Sequence, residues 1–79
     1  MSLHYPIYRK SLSGKSYYRI ESVSIFLELQ QLGTRWLQHE VHAKILPERV
    51  LIEDMTACRE GLYMPIQAEE FNAVLESAQ

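Results

Sequence analysis

The chain of 79 residues is 47% hydrophobic and 23% charged, with three Gly and three Pro, which is the make-up of one small globular domain over residues 1–79. This composition excludes a disordered chain, a lone Cys58 excludes an internal disulfide, and no run approaches the ~18 apolar residues of a membrane span. The formal charge of −2 is unevenly placed: residues 1–44 carry six Lys/Arg against three Glu, and residues 45–79 carry two Arg against seven acids.

The first predicted element is a β-hairpin. Tyr5 to Leu12 and Lys15 to Glu21 are rich in Tyr and Ile, and Ser13-Gly14 separates them. Counting outward from that loop sets Lys10 opposite Tyr17, Arg9 opposite Tyr18, Tyr8 opposite Arg19 and Ile7 opposite Ile20. Alternation then places Ile7, Arg9, Tyr18 and Ile20 on one face, the expected core face, and Tyr8, Lys10, Tyr17 and Arg19 on the other.

A helix is expected from Ser22 or Val23 to Gln31, capped by Ser22 or Ser24 and stopped by Gly33. Ile25, Leu29 and Leu32 recur at helical spacing beside Phe26. Arg35 to Ile45 alternates with period two and reads as a long strand, with Leu37, His39, Val41, Ala43 and Ile45 on one side and Trp36, Gln38, Glu40, His42 and Lys44 on the other. Pro47 ends it.

Two readings compete for Arg49 to Cys58. As a helix it shows Leu51, Met55 and Cys58 in one stripe, with Pro47 near its start. As a strand it forms a hairpin with Leu62–Ile66 through Arg59-Glu60-Gly61, and the Val-Leu-Ile cluster favours this second reading. The last element is a helix from Ala68 to Ser77, with Phe71, Val74, Leu75 and Ala78 in one stripe and Glu69 and Glu70 in its first turn. The expected fold is therefore α+β: a mostly antiparallel sheet of about five strands in the order β-β-α-β-β-β-α, with both helices on one face.

Residues able to carry chemistry are few. His39-Glu40-Val41-His42 lacks the i, i+4 spacing of a zinc-protease helix, and on a strand its two histidines face opposite ways. Cys58 has no local partner that activates a thiolate. Glu53-Asp54 sits on neighbouring positions that diverge, and Glu69-Glu70 is explained by a helix start. The three glycines are isolated turn residues and form no phosphate loop. No catalytic residue, metal site or cofactor is expected.

The most suggestive surface is a strip of interleaved aromatic and basic residues, Tyr8, Lys10, Tyr17 and Arg19, joined by Trp36 and Lys44 from the long strand. Such a strip stacks bases and neutralises phosphates in single-strand binders. It equally stabilises a hairpin through cross-strand pairs, and Trp36 suits the centre of a dimer contact. The acidic second part and a pI of about 5.9 argue against a dedicated nucleic-acid binder.

At Tyr8-Arg9-Lys10, Gly14-Lys15-Ser16-Tyr17 and Ala43-Lys44-Ile45-Leu46-Pro47 the chain resembles a family of short bacterial proteins with no assigned activity. The resemblance implies a bacterial cytoplasmic protein and no cofactor or catalytic residue. The functional expectation is a non-enzymatic interaction or structural module, a homodimer or a binder of a protein partner, through the open sheet face or an exposed edge strand. The alternative is weak single-stranded nucleic-acid binding by the aromatic-basic strip.

Overall fold

The computed structural model describes residues 4–78. The described chain runs β1 (Ile7–Ser11), β2 (Ser16–Ile20), β3 (Ile25–Leu32), β4 (Arg35–His42), α1 (Leu46–Ala57), a short 3-10 turn (Arg59–Gly61), β5 (Tyr63–Pro65) and α2 (Ala68–Ser77). All strands pair antiparallel in one five-stranded sheet of spatial order β4-β3-β2-β1-β5. The α+β class, the strand and helix numbers and the antiparallel sheet are as expected. The first hairpin has the expected register, Ile7 to Ile20 and Lys10 to Tyr17, and α2 has the expected bounds.

Two segments differ from expectation. Residues 22–31, expected as a helix, contribute most of β3, and Gly33 ends no helix. It is the first residue of the tight β3–β4 loop, where its φ of +65° is the positive value that such a loop requires. Residues 49–58, read as a strand, lie mostly in α1. Pro47 occupies the first turn, where a missing N–H costs nothing, and Glu48 Oε1 accepts the Lys44 and Ile45 N–H groups just ahead of it.

The third correction concerns the helices, which lie on opposite faces of the sheet. Ile20, Phe26, Ala43, Ile52 and Met55 form one core, so α1 covers the face that carries Ile7, Arg9, Tyr18 and Ile20. The other face is covered by α2, whose fully buried Phe71 packs on Tyr8, a residue that points away from Ile7 and Arg9. The protein is a helix–sheet–helix stack. This also explains β3: Phe26 is buried on one side and Leu29 on the other, with Ile25 and Leu27 half-buried between the two layers, so simple alternation disappears.

Arg9 fastens α1 to β1. Its guanidinium donates to the Met55 carbonyl (3.1 Å) and the Thr56 carbonyl (2.9 Å), and also to the Tyr8 carbonyl (2.8 Å). Carbonyls in the last turn of a helix lack intrahelical partners, and α1 has no basic residue of its own there. Arg9→Met keeps much of the apolar stem but removes these charge-assisted donations, while the Met55 and Tyr8 carbonyls keep the Cys58 and Ile66 N–H groups; it is expected to cost about 1.5–3 kcal/mol in urea unfolding. A loss below about 0.5 kcal/mol would show that α1 is held by its apolar contacts alone.

Candidate functional site

The aromatic-basic strip forms as the alternation requires. Tyr8, Lys10, Tyr17 and Arg19 share one face by the β1–β2 register, and the β2–β3–β4 registers put Trp36 on the same side. Lys44 does not join them. It lies in the exposed loop between β4 and α1, where its backbone N–H donates to Glu48.

The strip is the seat of α2. The Phe71 ring lies 5.5 Å from the Tyr8 ring, centroid to centroid, and the Arg19 guanidinium stands 5.5 Å over the Phe71 ring. Lys10 Nζ donates to Glu70 Oε2 at 3.0 Å, and the Tyr17 hydroxyl reaches the same oxygen at 3.4 Å. Tyr17 also meets Trp36 edge-on at 5.5 Å, and Arg19 pairs with Glu21. Tyr8, Lys10, Tyr17 and Arg19 thus all touch α2, and each stays partly exposed beside it. Part of the charge asymmetry in the sequence is internal complementarity, a basic strand face against an acidic helix start.

The histidines and the cysteine are dispersed. His39 and His42 fall on opposite faces of β4, and His42 Nε2 lies 3.6 Å from Glu40. Cys58 caps α1 in a left-handed conformation with φ of 52°. Among the described residues no three His, Cys, Asp or Glu side chains gather as a metal site. No helix among them is long and apolar enough to cross a membrane.

The rim of the sheet is accessible, and its two edges differ. On one side β5 has three residues, one of them Pro65, which has no N–H to offer. On the other, β4 has eight residues, most of them exposed, and contains no Pro, Gly or Lys. The Ala43 N–H donates to the Ser24 carbonyl at 2.6 Å, which makes these two a hydrogen-bonded pair. Antiparallel pairs alternate from there, so Arg35, Leu37, His39 and Val41 turn their backbone groups to β3. Trp36, Gln38, Glu40 and His42 turn theirs outward. At the start of β4 an open hollow of about 480 Å³ is lined by Thr34, Arg35, Trp36, Leu37, Ser77 and Ala78. The sequence already contained this signal in the length of the strand and its lack of edge guards, but the spatial order of strands was needed to place it at an edge.

Compared with known proteins, the chain matches no family model, no curated protein and no solved structure.

Tyr18, Tyr63 and Lys10, at the two helix seats, respond to alkali in one direction. Burial pushes the Tyr18 and Tyr63 hydroxyls above their usual value of 10.0. The hydrogen bond that Lys10 donates to Glu70, and then the Glu70 charge, raises Lys10 above 10.5. A folded-state value above the unfolded one means that the folded protein holds the proton more tightly. The stabilisation is complete below about pH 10 and is lost as the pH rises through the folded-state values. The urea midpoint should therefore hold steady between about pH 8 and 9 and fall above about pH 10, with a smaller fall in Tyr18→Phe. An equal fall in that variant would remove Tyr18 as a source.

Proposed function

We propose that the chain is a non-enzymatic interaction module that works by strand addition: its β4 edge takes up a strand from a second copy or from a protein partner. The observation that supports this most is the asymmetry of the rim, where one edge is short and interrupted by Pro65 and the other offers the outward backbone groups of Trp36, Gln38, Glu40 and His42. Main-chain hydrogen bonds supply affinity in this mode of recognition, and side chains at alternate positions supply selectivity. Trp36 is the expected anchor, half-buried at the mouth of the open hollow. A cytoplasmic setting belongs to the same proposal and is supported by the single unpaired cysteine.

Proline at position 38 provides the test, because the Gln38 N–H points away from β3 and its loss spares the internal ladder. Peptides selected from a random octapeptide library on the native protein should bind Gln38→Pro at least about tenfold more weakly, with an unchanged far-ultraviolet circular dichroism spectrum. Selected peptides that bind both proteins equally, when the native protein is itself monomeric, would place the binding surface elsewhere.

A further inference from the structure

We infer that the occupant of the β4 edge is a second copy of this chain, paired antiparallel through its own β4 about a two-fold axis at His39, so that two five-stranded sheets join into one. The inference rests on the strand-addition reading above and names its partner.

The argument begins with parity. When two identical edges pair antiparallel about an axis perpendicular to the sheet, paired side chains share a face only if the axis passes through a residue. Near the middle of β4 that residue is Gln38 or His39. Centred on His39, Leu37 of one copy faces Val41 of the other, apolar against apolar, on the α1 side. On the α2 side Trp36 faces His42, and Gln38 faces Glu40, an amide beside a carboxylate that accepts from it. No like charges oppose each other. Centred on Gln38, the apolar residues meet polar ones instead: Trp36 faces Glu40, Leu37 faces His39 and Arg35 faces Val41. The segment Trp36-Leu37-Gln38-His39-Glu40-Val41-His42 is thus close to chemically palindromic about His39 and not about its neighbour.

The surroundings agree with that register. Trp36, Gln38, Glu40 and His42 carry the outward backbone groups, so the pairs Trp36–His42 and Gln38–Glu40 are the hydrogen-bonded ones. The partner's His42 would enter beside Trp36, where the hollow of about 480 Å³ leaves space. Leu37, 38% exposed in the single chain, gains cover from the partner's Val41. A domain of 79 residues is also of the size for which a second copy adds substantially to a modest core.

The axis residue makes the register measurable. His39 turns its backbone groups to β3, so His39 and its symmetry mate form a non-hydrogen-bonded pair, with Cα atoms about 4.5 Å apart, within the range that a disulfide spans. In a Cys58→Ser background, His39→Cys should oxidise to a covalent dimer without denaturation, and Gln38→Cys should do so far less. Light scattering on the native protein should give twice 9.3 kDa, and Gln38→Pro should give 9.3 kDa. A native monomer at every concentration would overturn the homodimer. If that monomer still bound selected octapeptides at β4, the strand-addition reading would stand without it. Preferential cross-linking through Gln38→Cys would overturn the register.

Discussion

The Phe71 ring lies fully buried against Tyr8 and under the Arg19 guanidinium, and this contact commits α2 to the side of the sheet opposite α1. Burying a Phe side chain is worth about 1.5–3 kcal/mol, a large share of the stability of so small a domain. The cation over its ring adds to this, and Lys10 and Tyr17 hold the neighbouring Glu70. With α1 gathering Ile52 and Met55 against Ile20 and Phe26 on the other side, both faces of the central strands are used for folding. With both faces of the sheet taken, its free backbone groups lie at the edges.

An antiparallel sheet with a helix on each face keeps two edges, and edges attract strands unless something prevents it. Here the β5 side is interrupted by Pro65 and the β4 side is not. The difference turns a general hazard of β-proteins into a directional surface. It also assigns separate tasks to residues that share the α2 side of the sheet. Tyr8, Lys10, Tyr17 and Arg19 hold a helix, and Trp36 sits where the helix end, the edge and the hollow meet.

The parts of the fold that were legible in the sequence are those fixed by local rules. The Ser13-Gly14 turn set the β1–β2 register, and the stripe around Phe71 set α2. The alternation from Trp36 to His42 correctly divided the side chains of β4 between two faces. Residues 25–29 misled because a strand covered on both sides loses its period of two, and Ile25 with Leu29 then imitates a helix stripe. In residues 49–58 the Val-Leu-Ile cluster outweighed the spacing of Leu51 and Met55, although only Ile52 of that cluster is buried. The strip of Tyr8, Lys10, Tyr17 and Arg19 was visible, but its occupant was not: nothing local to the hairpin says that a helix begun at residue 68 will return to it.

The placement of α2 is the claim on which the rest depends, and nuclear Overhauser contacts of the Phe71 ring test it most directly. The structure predicts cross-peaks from Phe71 to the Tyr8 ring and to the Arg19 side chain, and none to Ile52 or Met55. Cross-peaks from Phe71 to Ile52 or Met55 would put both helices on one face, leave the aromatic-basic strip open, and contradict this account of the sheet and its free edge.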